Sequence, residues 1–221
     1  MEYLISMSSP ARGMNPYAKE HLPEGHPDRE RDYINGDVNI CLIKTSQGQT
    51  ITIKHDTDLP RPYSRTNLVQ GTRGIVRGAP RFLVSLEDRD LVEGINDPSH
   101  PNPHKGPHHK YNWQDGGRYA DEYEHPLTTF LQELAAKTPV AADGFDLSKE
   151  IRSGDYLEDY RLIQAHRQGI APDFDVYDAV AWSAVAPLSE KSVAERSAAV
   201  DFPDFTRGKW KNRKPLRIMG V

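Results

Sequence analysis

The strongest constraint on the fold is a pair of alternating segments joined by a short polar turn. Apolar residues recur at every second position of 38–44 and again of 50–55, with Ser46-Gln47-Gly48-Gln49 between them. A period of two predicts β-strands, and a short glycine-containing turn joins such strands into a hairpin. Residues 1–7 alternate in the same way, so we expect strands from the start of the chain.

Helical patterns dominate the second half of the chain. Residues 126–137 and 154–168 are predicted helices, and a third helix begins at Asp175, a residue type that caps helix N-termini. Strands first and helices later indicate an α+β fold. We expect a mixed, mostly antiparallel open sheet with helices on one face. Apolar residues make up only 37% of the chain, which favours a sheet covered on one side. The other face is then apolar and open, a surface suited to self-association.

Composition limits the number of domains and the classes of partner. A chain of 221 residues is predicted to form a single domain over 1–221, with a His/Pro/Gly-rich loop at 94–118 and a solvated basic tail at 207–221.

A formal charge of −4 gives no reason to expect nucleic acid, and no apolar run approaches the 18 residues of a membrane span. The first residues have no basic region and are not typical of a signal peptide, so localisation stays open. With Cys41 as its single cysteine, the chain has no internal disulfide.

Two groups of chemically active side chains are better explained as surface features. The four histidines of the 94–118 loop are of a type that binds zinc, but they have no cysteine or acidic ligand at a recognised spacing, and we predict no metal site. In the second helix, the spacing of Asp155, Glu158 and Asp159 is that of a solvated, salt-bridged face. We favour that interpretation over a glycosidase carboxylate pair.

A stiff loop follows the hairpin and carries a tyrosine between two arginines. Pro60 and Pro62 lie on either side of Arg61, while Tyr63 and Arg65 follow directly. Proline fixes its own φ and restricts the residue before it, so such a loop can hold side chains in a set geometry. A binding site needs that rigidity.

The residues alone leave two interpretations of this loop open. One is a binding site that includes His55, which closes the preceding strand on the same face as Ile51 and Ile53, the face expected to pack. The other is a rigid connection whose arginines pair with Asp56 and Asp58. No residue is singled out as catalytic by its spacing.

At these residues the chain resembles a known family. The run from His55 through Pro60-Arg61-Pro62-Tyr63-Ser64-Arg65 to Val69-Gln70-Gly71-Thr72-Arg73-Gly74 is similar to the C-terminal domain of glycoside hydrolase family 109. That family contains NAD-dependent α-N-acetylgalactosaminidases and belongs to the Gfo/Idh/MocA oxidoreductase superfamily. Further matches keep family order along the chain: Tyr3-Leu4-Ile5-Ser6-Met7, Tyr123-Glu124-His125-Pro126, Asp159-Tyr160-Arg161-Leu162-Ile163, Asp175-Val176-Tyr177-Asp178 with Trp182-Ser183, and Phe202-Pro203-Asp204-Phe205-Thr206-Arg207-Gly208.

The resemblance implies a fold, a chemistry and a site residue. Family members hold NAD in an N-terminal Rossmann domain, and their C-terminal α/β domain supplies part of the substrate pocket and often the oligomer interface. The cofactor oxidises a sugar hydroxyl transiently, so that the glycoside is cleaved by elimination, followed by water addition and reduction. Tyr63 matches the family's substrate-binding tyrosine, with His55, Arg61 and Arg65 as candidates beside it. An amino sugar glycoside is the implied substrate.

Parts of the family pattern are missing from the sequence, among them its glycine-rich cofactor motif. No Gly-x-Gly-x-x-Gly occurs in the chain, so no cofactor-binding residue is predicted and we expect no Rossmann domain here. The chain would then be the C-terminal part of a glycosidase or a related sugar oxidoreductase, inactive alone and lacking its NAD domain. The alternative is a stand-alone sugar-binding or scaffold subunit without catalysis of its own.

Overall fold

The structure is a computed structural model that describes residues 1–56, 58–78, 80–87, 113–119, 126–144, 146–151 and 154–213. The chain divides into two compact units. Unit 1 contains the described residues of Met1–Pro60 and Glu158–Met219, and unit 2 contains those of Arg61–Leu157.

Unit 1 contains a four-stranded antiparallel sheet with the strand order β3-β2-β1-β8. Its elements in chain order are β1 (Tyr3–Ser8), α1 (Met14–His21), β2 (Val38–Lys44), β3 (Thr50–Asp56), most of α4 (Gly154–Gln168), α5 (Val176–Ser183), α6 (Val185–Ala194), β8 (Val200–Asp201) and a 3₁₀ helix (Lys209–Asn212). The predicted hairpin is confirmed, with Leu42 opposite Thr52.

Helix α6 packs on one face of this sheet, and it is held there by buried polar groups as well as by apolar ones. Leu4 and Ile43 form the apolar part of the interface and are almost fully buried. The backbone N–H of Ser6 donates to Ser192 Oγ at 2.8 Å, and that hydroxyl donates to the carbonyl of Ala198 at 2.7 Å. The hydroxyls of Ser6 and Ser189 lie 2.8 Å apart. These bonds satisfy polar groups that burial would otherwise leave unpaired.

The opposite face of the unit 1 sheet is apolar and exposed. Ile5 lies opposite Leu42, and Met7 opposite Ile40, so these side chains form a continuous patch. Tyr3, which is also exposed, extends the patch along β1. We refer to Tyr3, Ile5, Met7, Ile40 and Leu42 as the open face.

The expected packing of His55 is wrong. Its register position opposite Asn39 puts it on the same side as Ile51 and Ile53, as predicted. However, β3 is the edge strand of the sheet, and all three residues are exposed. The packed positions of this face belong to the central strands, where Cys41 and Ile43 are buried.

A buried carboxylate organises the chain between β1 and β2. Asp37 accepts hydrogen bonds from the backbone N–H groups of Arg12 and Gly13, each at 3.0 Å, at the start of α1. In the first turn of α1, the Asn15 side chain exchanges two 3.0 Å hydrogen bonds with the backbone of Tyr33. A helix N-terminus favours negative charge, so Asp37 stabilises α1 from outside the helix.

Unit 2 contains a second antiparallel sheet, with the order β4-β5-β6-β7. Its elements are β4 (Leu68–Gly71), β5 (Gly74–Arg77), β6 (Leu83–Leu86), β7 (Gln114–Asp115), a 3₁₀ helix (Gly116–Tyr119), α2 (Pro126–Lys137), α3 (Leu147–Ile151) and the first turn of α4. Leu131, Ala135 and Ile151 form the core between α2 and α3, with Tyr156 and Leu157 of α4 packed against it.

The α+β class and the antiparallel pairing are confirmed, but the strands form two sheets where one was expected. Every pairing among the described residues is antiparallel. Pro60 and Pro62 lack the N–H that a ladder requires, and they separate β3 from β4. The strand after the prolines therefore starts a new sheet. That 1–221 is one domain stays a prediction.

The predicted helix boundaries agree closely with the structure. Helices α2 and α4 span the predicted ranges 126–137 and 154–168. Asp175 caps α5 by accepting from the N–H groups of Tyr177 and Asp178, while Asp178 accepts from the N–H of Asp175 in return. The four histidines of the 94–118 loop lie outside the described residues.

We predict that Ser192→Ala lowers the free energy of unfolding by about 1–3 kcal/mol, because it leaves the buried Ser6 N–H without an acceptor. Urea unfolding followed by circular dichroism measures the change. Ser183→Ala, at an exposed position of α5, is the matched control and is expected to change stability by less than about 0.5 kcal/mol. Equal stability of the two variants would contradict a structural role for the serine network.

Candidate functional site

The candidate site is the loop between β3 and β4, in which Tyr63 is exposed. The described residues 58–67 form no helix or strand. The Tyr63 side chain is 69% exposed, so its ring does not serve to pack the loop against a sheet. A phenol in this position presents both an apolar ring face and a hydroxyl group to the solvent.

Side chains of the loop contact one another. The Arg65 guanidinium carbon lies 6.0 Å from the centroid of the Tyr63 ring, at the outer limit of a cation–π interaction. The hydroxyls of Ser64 and Thr66 lie 2.8 Å apart, and Thr66 has a φ of 46°, in the left-handed region that favours glycine. A long 3.4 Å hydrogen bond joins Arg61 Nη2 to the Ser64 carbonyl. The loop is thus organised locally by its own residues.

The structure places the predicted site residues in two units. Arg61, Tyr63 and Arg65 lie together in the unit 2 loop, whereas His55 is on β3 of unit 1. Beside His55, Lys54 Nζ lies 3.7 Å from Asp56 Oδ2. One loop therefore provides an aromatic ring, a hydroxyl and two guanidinium groups.

The carboxylates of α4 form an exposed helix face, as expected. Asp155, Glu158 and Asp159 are exposed. The nearby Arg161 does not pair with them but makes a bidentate contact with Asp173, at 2.8 and 2.6 Å. A paired arginine of this kind joins α4 to the segment before α5, which is a structural role.

The described part of the basic tail, 207–213, is mostly exposed, and an ion pair holds its last described residue. Arg213 makes a bidentate contact with Asp178, at 2.7 and 2.5 Å, and lies 3.5 Å from Asp175 Oδ2. The hydrogen bond from Arg213 holds the pKa of Asp178 below its usual value. Sequence reasoning assigned Asp175 to a cap but had no signal for this long-range partner, 35 residues away.

No metal site is found in the part of the chain that the structure describes. Within those residues no group of three or more His, Cys, Asp or Glu side chains is placed to hold a metal ion. None of the described helices is long and apolar enough to cross a membrane. A phosphate in a strand–loop–helix unit binds at the helix N-terminus, and directly before α1 the Asp37 carboxylate accepts from the N–H groups of Arg12 and Gly13.

The chain thus has an α+β architecture with two antiparallel sheets and an exposed loop that carries Tyr63 and two arginines. Residues 1–212 match the family model described as "Glycosyl hydrolase 109, C-terminal domain". The chain is 43% identical over 225 residues to a glycosyl hydrolase family 109 protein of Shewanella sp. (strain W3-18-1), covering 100% of this chain and 42% of that protein. A family 109 protein of Shewanella pealeana is 42% identical over 220 residues, again covering 100% of this chain and 42% of the relative.

These matches confirm the resemblance noted in the sequence. The chain belongs to glycosyl hydrolase family 109 and corresponds to its C-terminal domain. It spans about two fifths of the length of the curated relatives that it matches.

Proposed function

We propose that this chain is the carbohydrate-binding part of a family 109 glycosidase or a related sugar oxidoreductase, and that an amino sugar glycoside is its substrate. The observation that carries the proposal is the exposed Tyr63 in a loop with two arginines. A tyrosine ring lies well against the apolar face of a sugar, and its hydroxyl fixes the orientation through one hydrogen bond. In this proposal Arg61 and Arg65 hold an acyl oxygen or a carboxylate of the substrate.

The proposal includes NAD as the cofactor of the whole enzyme, bound by a part of the protein other than this chain. The described residues do not fit a dinucleotide, because the sequence has no glycine-rich phosphate loop and the Asp37 carboxylate lies directly before α1. An anionic pyrophosphate would be repelled by that carboxylate. The role proposed for this chain is therefore to bind and orient the sugar. A stand-alone sugar-binding or scaffold subunit would use the same loop.

We also propose that the chain forms a homo-oligomer through the open face. Contiguous apolar surface of this kind marks interaction sites, and a twofold interface joins the same patch on both subunits. Met7, 67% exposed and opposite Ile40, lies within the patch.

The first test concerns the substrate hydrogen bond. In a fusion of this chain behind the N-terminal portion of the Shewanella sp. (strain W3-18-1) relative, Tyr63→Phe removes one hydroxyl. We expect KM for an N-acetylgalactosaminide to rise about 2- to 12-fold, the effect of losing about 0.5–1.5 kcal/mol. The melting temperature should not change.

Tyr17→Phe is the control, since Tyr17 is also exposed but lies on α1. It should leave both KM and melting temperature unchanged. A Tyr63→Phe variant that melts earlier and keeps its KM would remove Tyr63 from the substrate site.

The second test concerns the oligomer. We expect Met7→Lys to shift the protein towards monomers in sedimentation velocity, because it buries an unpaired charge in the apolar interface. Ile34→Lys, at an even more exposed position outside the open face, should self-associate like the parent protein. A parent protein that is strictly monomeric at high concentration would rule out this interface.

A further inference from the structure

Helix α5 is an apolar helix that buries none of its residues. Its sequence, Val-Tyr-Asp-Ala-Val-Ala-Trp-Ser, contains one charged residue. Val176 is 65% exposed and Trp182 is 53% exposed, while Val180 and the preceding Phe174 are exposed as well. We refer to Phe174, Val176, Val180 and Trp182 together as the α5 face, in which Val176 and Val180 lie one turn apart and Trp182 lies beside Phe174. Helices that are apolar on most sides are normally buried, so this surface needs a partner.

The α5 face is ordered before any partner binds. The reciprocal cap between Asp175 and Asp178 fixes the first turn, and Arg213 holds Asp178 through two hydrogen bonds. The Phe174 and Trp182 rings lie 5.4 Å apart at an angle of 54°. A surface fixed in this way loses little conformational freedom on binding, which favours docking.

A homo-oligomer through the open face would leave the α5 face uncovered. Helix α6 covers the sheet face opposite the open face, and α5 contacts α6 and is joined to it through Ala184 alone. An interface through the open face uses one strand patch on each subunit, and that patch includes no residue of α5.

The side chains of this face favour a polypeptide over a sugar. Carbohydrate sites use aromatic planes together with several polar groups. Val176 and Val180 instead add aliphatic surface, and the one charged residue of the helix, Asp178, is already paired with Arg213. Apolar and aromatic residues with few charges are typical of protein–protein interface cores.

The length of the relatives indicates which polypeptide this is. More than half of each matched relative lies outside the region that this chain covers, and the matched model is a C-terminal domain. The remainder is thus N-terminal and is larger than this chain. We propose that the α5 face docks on the N-terminal polypeptide of family 109 proteins. This inference rests on family membership and does not depend on NAD or on the substrate.

Hydroxyl-radical footprinting with mass spectrometry tests the proposal. We would compare the isolated chain with its fusion behind the N-terminal portion of the Shewanella sp. (strain W3-18-1) relative. Oxidation of Trp182 is expected to fall at least fivefold in the fusion, whereas oxidation of the exposed Tyr17 should not change. The intact relative is footprinted in parallel and should be protected along its segment equivalent to α5. Both of its parts belong to one natural sequence, so a mismatch between the halves of the fusion cannot affect this result.

A charge-insertion variant gives an independent measurement. Val176→Lys combined with Trp182→Lys should lower the melting temperature of the fusion but not that of the isolated chain, where both positions are exposed. Ile34→Lys is the matched control and should affect neither protein.

Equal oxidation of the α5 segment in the isolated chain, the fusion and the intact relative would overturn the proposal. Protection that grows with the concentration of the isolated chain, or that appears only with N-acetylgalactosamine, would also overturn it.

Discussion

The hydrogen bonds of two serines on α6 hold the two ends of the sequence together, and the rest of unit 1 depends on them. Ser6 on β1 and Ser192 on α6 are separated by 186 residues and share a buried 2.8 Å bond. Ser189 adds a second contact to the Ser6 hydroxyl. Because these bonds have directional requirements that apolar contacts lack, they fix how α6 lies across the sheet. Helix α6 covers one face of the sheet, and the other face stays open.

This arrangement separates three surfaces by their chemistry. The open face is a flat apolar patch on strands, the α5 face is an ordered apolar helix surface, and the Tyr63 loop combines an aromatic ring with cationic and hydroxyl groups. Apolar patches suit protein partners, while the polar loop suits a sugar. The chain belongs to glycosyl hydrolase family 109 and spans only part of the length of its relatives. A surface for the rest of the polypeptide, separate from one for the sugar, agrees with that partial coverage.

The sequence predicted the features that depend on local patterns. The hairpin of β2 and β3, the boundaries of α2 and α4, and the cap at Asp175 follow from periodicity and capping within a few residues. Sequence reasoning missed the division into two sheets, the serine network and the Arg213–Asp178 pair, because these join segments far apart in the chain. Tyr63 was identified through its motif, and neither its exposure nor its contact with Arg65 follows from spacing.

The central claim is that this chain orients the sugar while another part of the protein binds NAD. Isothermal titration calorimetry of NAD into the isolated chain tests it most directly, with the fusion to the N-terminal portion of a Shewanella relative as the positive control. We expect no binding heat for the isolated chain and saturable binding for the fusion. Micromolar NAD affinity in the isolated chain would contradict it.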